Sequence, residues 1–184
     1  MTETIAKAHW RALDRDGEDT CRLVDAGQGW MLVGHARFRD GHGWAALDYV
    51  IRTDADWLTT SADITGDYAG ETVGWHLARS GADWSLNDRL QPDLTGAEDI
   101  DLSFTPATNL MPLRRLPQVG RLTTCAAWLR LPGPLLSPLH QSYTRERGGL
   151  VLYEAEESDF KTHLKVDEHG FVTHYPGLWQ AGDP

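Results

Sequence analysis

The sequence predicts a mainly β protein: one strongly curved, largely antiparallel sheet forming a half-open or closed barrel-like single domain with few short helices. Three observations carry that expectation. Short runs of alternating apolar and polar residues recur about every ten to twelve positions, the spacing of antiparallel sandwiches and barrels. Turn clusters punctuate them, as at Arg15-Asp16-Gly17-Glu18, Asp40-Gly41-His42-Gly43 and Gly66-Asp67-Tyr68-Ala69-Gly70. No segment longer than about ten residues has a clear helical period. Short helices are expected only near Leu86 to Leu90 or at Ser158-Asp159-Phe160. A sheet of roughly a dozen strands twists until it curls or closes, which creates a concave face.

Taken in order, His9 to Asp14 and Cys21 to Val24 read as paired strands across the first turn. Trp30 to Phe38, Trp44 to Arg52, Trp57 to Ile64 and Glu71 to Arg79 continue a meander of hairpins. Leu122 to Leu131 is a long apolar strand, after which Pro132, Pro134 and Pro138 predict a loop or a proline-limited edge strand. Gln141 to Thr144 and Leu150 to Glu154 resume the strands. Phe160 to Val166 pairs with Phe171 to Tyr175 across Asp167-Glu168-His169-Gly170.

At 184 residues the chain, 1–184, suits one domain with a sizeable core. A net charge of -10 argues against nucleic acid or an anionic membrane surface as partner. Cys21 and Cys125 make neither a disulfide framework nor a metal site, and read as small buried residues of a reducing compartment. The N-terminus lacks the regions of a signal peptide, and no apolar run reaches spanning length, so the expected location is cytoplasmic without stable membrane insertion. No cofactor is expected, and a homodimer is left open.

Eight tryptophans, at 10, 30, 44, 57, 75, 84, 128 and 179, are the most unusual feature of the composition. Most are expected to fill the core, and a few to line a cavity for sugar rings or an acyl chain. The richest stretch runs from Asp99 to Leu116. It carries Thr105, Asn109, Arg114 and Arg115 among Pro106, Pro112 and Pro117, which predict an irregular, polar loop of the kind that binds ligands. In an extended segment adjacent side chains point opposite ways. One arginine is then free to anchor a polar group while the other is solvated or ties the loop to Asp99 or Asp101. Thr105 and Asn109 suit sugar hydroxyls or the backbone of their own turn.

The ligand-binding set expected is Arg114, Arg115, Asn109, Thr105, Asp101, Trp128, Tyr143, Tyr153 and Trp179. Glu18, Asp101, Glu154 and Asp167 supply carboxylates for glycoside hydrolysis, but nothing in the spacing pairs them, and catalytic residues stay unassigned. His163 and His174, facing each other across the last hairpin, are a weak metal signal, and no metal is expected. No nucleophile elbow, phosphate-binding loop or dinucleotide fingerprint is present.

These residues carry a resemblance. Asp99-Ile100-Asp101-Leu102, the string Thr105-Pro106-Ala107-Thr108-Asn109-Leu110-Met111-Pro112-Leu113-Arg114-Arg115-Leu116, the Ala127-Trp128 strand, Gln141-Ser142-Tyr143 and the closing Tyr175-Pro176-Gly177-Leu178-Trp179 are similar to the bacterial family described as "putative glycolipid-binding". The likeness spans nearly the whole chain. It implies one β-rich domain shaped like the curved, half-open sheets of periplasmic lipoprotein carriers, and no catalytic set. The function it implies is binding of a glycolipid or similar amphipathic ligand in a concave, Trp-rich cavity, with a role in glycolipid metabolism. The alternatives are a hydrolase-like enzyme of lipid or sugar metabolism using cavity carboxylates, or a protein-interaction module.

Overall fold

A computed structural model describes residues 3–182. The first eight strands are β1 (Glu3–Ala12), β2 (Gly17–Asp25), β3 (Gly29–Asp40), β4 (Gly43–Asp54), β5 (Thr59–Tyr68), β6 (Glu71–Ser80), β7 (Asp83–Leu86) and β8 (Arg89–Leu90). After β9 (Asp99–Leu102) comes one short helix, α1 (Leu110–Arg115). The chain ends in β10 (Arg121–Arg130), β11 (Leu135–Arg145), β12 (Leu150–Ala155), β13 (Phe160–Val166), β14 (Val172–Tyr175) and β15 (Trp179–Ala181).

All of them belong to one 15-stranded sheet, ordered β8-β7-β6-β5-β4-β3-β2-β1-β15-β14-β13-β12-β11-β10-β9. Every pairing is antiparallel except β9 with β10. The expected mainly β, largely antiparallel architecture is present, in its half-open form: the sheet does not close into a barrel. Strands β8 and β9, consecutive in sequence, are its two opposite edges. Only residues 91–98 join them. A link of that length reaches about 30 Å at full stretch, whereas fifteen strands laid flat would span about 65 Å. The sheet therefore has to curl. The curl brings β9 against the start of β5, where Thr59 N donates to Glu98 O at 3.0 Å and Ile100 N donates to Thr59 Oγ1 at 3.2 Å.

The curl is filled by the chain itself. Residues 104–113 are all buried, and the Phe104 ring lies 6.0 Å from Phe38 and 6.2 Å from Tyr49. Each large apolar side chain there contributes about 1.5–3 kcal/mol by leaving water. This segment corrects the expectation of an irregular loop: a 3-10 turn over Pro106–Asn109 runs straight into α1. Pro106 opens the turn and Pro112 sits in the first turn of α1, positions whose N–H has no intrahelical partner, so neither ring costs a hydrogen bond. Thr105 caps the turn, its Oγ1 accepting from Ala107 N at 3.0 Å. The helices expected elsewhere are hairpins. Asn87 and Asp88, with φ of 46° and 63°, make the tight turn between β7 and β8, and Asp159, with φ of 47°, stands in the turn before β13.

Pro138 also departs from expectation, because β11 is an interior strand. Its β12 partner begins only at Gln141, so the missing N–H of Pro138 falls where that side of the strand is unpaired. His163 and His174 are not opposite one another: His174 is paired with Lys165 and Gln180.

Two buried latches hold the plug. Asp99 receives both Arg115 guanidinium nitrogens at 2.7 Å and the Thr124 hydroxyl at 2.7 Å. Asp19, fully buried, accepts from the hydroxyls of Thr105 and Tyr49. Gly34 makes room for the second latch, since a Cβ there would stand 2.1 Å from the Tyr49 ring. Burial pushes the Asp19 carboxyl up to about 8, against the two hydroxyl bonds that lower it.

Replacing Arg115 with Ala leaves Asp99 charged and buried, and is expected to lower unfolding stability by about 3–5 kcal/mol in denaturant titration. Asp19 keeps its proton in the folded state over a range where the unfolded chain has lost it. Its contribution to stability is therefore greatest at acid pH and declines as pH rises from about 4 to about 8. Asp19→Asn, which keeps the hydroxyl partners, is expected to gain melting temperature relative to the parent across that interval. A difference that stays constant with pH would show that Asp19 titrates normally.

Candidate functional site

A cleft of 620 Å³ lies where the middle of the sheet parts. Strand β1 pairs with β15 only from Trp10 to Ala12, with one further bond from Gly182 N to His9 O. Beyond that point β1 and the 167–173 segment separate. One side of the cleft is built by β1–β4, with Lys7, Ala8, His9, Thr20, Arg22 and His35 among its lining. The other side is Asp167, Phe171, Val172 and Thr173. Lys7, Thr20, Arg22, His35 and Asp48 are exposed, whereas Cys21, Phe171 and Val172 are buried, so polar groups stand over an apolar interior.

The 167–173 wall is fixed from several directions. Asp167 Oδ1 accepts from His169 N and Phe171 N, both at 2.9 Å. Gly170 holds φ at 97° and lies so close to α1 that a Cβ would come within 3.0 Å of Arg114 Cδ. Arg114 donates to His169 O at 3.3 Å, and Trp10 Nε1 donates to Val172 O at 2.6 Å.

The cleft combines two cations, two histidines and two carboxylates on a chain of net charge -10. His35 Nδ1 lies 2.8 Å from Asp48 Oδ1, and His9 Nε2 lies 3.4 Å from Glu18 Oε2. Among the described residues, neither Lys7 nor Arg22 has a side-chain hydrogen-bond or ion-pair partner. Burial raises the Cys21 thiol far above its ordinary range, so it remains protonated and a poor nucleophile. No cluster of three or more His, Cys, Asp or Glu among the described residues has the geometry to hold a metal ion. The arrangement suits binding: donors and acceptors at the mouth, apolar surface below, and a volume in the range of small-molecule sites.

None of the nine residues expected from the sequence lines this cleft. Asp101, Asn109, Tyr143 and Tyr153 do come together, in a buried polar and aromatic network. Gln141 Nε2 donates to Asp101 Oδ2 and to the Tyr153 hydroxyl, each at 2.8 Å, and Asn109 Nδ2 donates to the Tyr143 hydroxyl at 3.0 Å. The Tyr143 and Tyr153 rings are 5.0 Å apart. Burial lifts the Asp101 carboxyl to about 6. Thr105 is committed to Asp19 and Arg115 to Asp99. Trp128 carries the Arg130 guanidinium 4.4 Å above its ring, and Trp179, 4% exposed, packs near Arg15. Arg114 is exposed and stacks 4.6 Å over Trp57, which itself stacks on Trp30 at 4.5 Å. Arg114 supports the cleft's wall through His169 and Gly170.

The carboxylates considered for hydrolysis have separate partners. Glu18 lies beside His9, Glu154 binds Lys161 at 3.0 Å, Asp101 binds Gln141, and Asp167 caps its own turn. Sequence reasoning missed Lys7, His9, Arg22 and His35 because alternate polar residues on a strand ordinarily read as a solvated face. Only the register brings them together, and it is not legible in any one strand.

The tryptophans divide as their environments dictate. Trp10 and Trp84 are fully buried, Trp179 nearly so, Trp30, Trp57, Trp75 and Trp128 are half-buried, and Trp44 is 47% exposed. No described helix is long and apolar enough to cross a membrane.

No curated protein matches the chain. A crystal structure of a DUF1089 family protein from Pseudomonas aeruginosa is similar, with 32% identity and a TM-score of 0.76 over 88% of this chain and 91% of that one. The model of the family described as "Putative glycolipid-binding" matches residues 7–181. With that match covering nearly the whole sheet, the chain belongs to the family so described.

Proposed function

We propose that the protein binds a glycolipid-like amphiphile in the cleft between β1–β4 and the 167–173 wall. The observation that carries this reading is the layering of the cleft. Lys7 and Arg22, whose side chains have no hydrogen-bond or ion-pair partner among the described residues, stand at a mouth whose interior is walled by Ala8, Cys21, Phe171 and Val172. A polar headgroup satisfies the mouth, and an apolar chain gains by displacing water from the interior. The family to which the chain belongs is named for ligands of this kind.

On this reading the 99–116 segment acts through position. Arg115 locks the plug, and Arg114 props the loop that forms one wall. The protonated thiol and the separately engaged carboxylates favour holding a ligand over transforming it.

Dodecyl maltoside, titrated below its micelle concentration and followed by tryptophan fluorescence, tests the assignment. The parent protein is expected to saturate. Thr20→Trp, which fills the cleft from an exposed strand position, is expected to weaken binding by about tenfold or more, a loss of at least about 1.4 kcal/mol. Unchanged affinity in Thr20→Trp would place the ligand elsewhere.

A further inference from the structure

The cleft opens on a face whose charge runs against that of the molecule. On the outer side of β1–β4 the register sets side chains in rows: Lys7 beside Arg22 and Val33, His9 beside Thr20, His35 and Asp48, Arg11 beside Glu18, Arg37 and Ala46, and Arg39 beside Trp44. Five cations, Lys7, Arg11, Arg22, Arg37 and Arg39, thus share one continuous patch. Among the described residues none of the five has an acceptor, Arg37 being stacked 5.4 Å from the Trp44 ring centroid. The two carboxylates within the rows are engaged by histidines, Glu18 by His9 at 3.4 Å and Asp48 by His35 at 2.8 Å. Some cations elsewhere are ion-paired: Arg52 with Asp63, Arg115 with Asp99, and Arg121 and Lys161 with Glu154.

Unneutralised cations held side by side repel one another, and an external anion relieves that repulsion. Trp44 stands among them 47% exposed, its apolar ring outward. A second groove, of 410 Å³, is lined by His9, Arg11, Asp16, Gly17, Glu18, Arg37 and Trp44, and shares His9 with the cleft. Basic side chains around an exposed indole are the combination that settles at a lipid–water boundary, where the ring takes the headgroup level and the cations meet anionic lipid. The overall charge of -10, which in the sequence argues against an anionic surface, is outweighed by the local patch. Screening limits surface charges to about 8–10 Å at physiological salt, so a bilayer responds to the face it touches.

We propose that the outer face of β1–β4 docks the protein on an anionic phospholipid bilayer. Lys7, Arg11, Arg22, Arg37 and Arg39 meet the headgroups, Trp44 sits at the boundary, and the cleft faces the membrane from which its ligand comes. The last clause rests on the function proposed above, whereas the docking itself does not.

Flotation with phosphatidylcholine vesicles, with and without phosphatidylglycerol, tests it. The full chain is expected to float with the anionic vesicles, to leave them at about 0.5 M salt, and to ignore pure phosphatidylcholine. The double variant Arg37→Glu, Arg39→Glu is expected to lower the bound fraction about fivefold or more while still binding monomeric dodecyl maltoside, which shows that it is folded. Thr20→Trp is expected to do the reverse, losing the maltoside while floating normally, so the two readings fail separately. Equal flotation on both vesicle types, flotation unaffected by the charge reversals, or displacement from the vesicles by a stoichiometric amount of DNA duplex would overturn the proposal, the last in favour of a nucleic-acid partner.

Discussion

Eight residues separate Leu90, on one edge of the sheet, from Asp99 on the other, and that shortness shapes everything else. A sheet of fifteen strands whose edges are joined by so brief a link has no flat solution. It must curl, and a curl of this size encloses a volume that side chains of the strands alone would leave underfilled. The next stretch of chain, 104–113, enters that volume. The link that creates the cavity thus leads, through the edge strand β9, into the segment that fills it.

Filling the interior with a polar-ended segment raises the question of how its charges are tolerated. The answer differs at its two ends. Arg115 brings its own counterion into register, since Asp99 begins the edge strand that the link has just delivered. Thr105 instead meets Asp19, whose carboxyl has no cation beside it and escapes the cost of burial by holding its proton. One latch is ionic and the other neutral. Both leave the concave side occupied by protein, and the open cleft lies at the seam where β1 and the 167–173 segment part. Gly170 against Arg114, and Val172 against Trp10, are where plug and core meet the wall of that seam.

Much of this was legible in the sequence, for reasons of period. Residues alternating in and out of a core announce strands, and Gly-rich turns mark their ends, so β1 to β6 and the β13–β14 hairpin were readable one by one. Prolines misled where position mattered more than presence: Pro106 and Pro112 read as helix breakers, yet each occupies an opening turn that lacks a partner for its N–H. The role of Arg115 was available as one of two alternatives, because Asp99 lies close in sequence. The proposed binding face was not available at all. Lys7, Arg22 and Arg37 are separately unremarkable, and become a patch only when three strands align.

The proposed ligand site is the seam and not the plugged interior. A crystal structure with dodecyl maltoside bound tests it most directly. The maltose headgroup is expected against Lys7 and Arg22 and the alkyl chain along Phe171 and Val172, with the 104–113 segment unmoved. Ligand lodged among Asp101, Tyr143 and Tyr153, with the plug displaced to admit it, would contradict it.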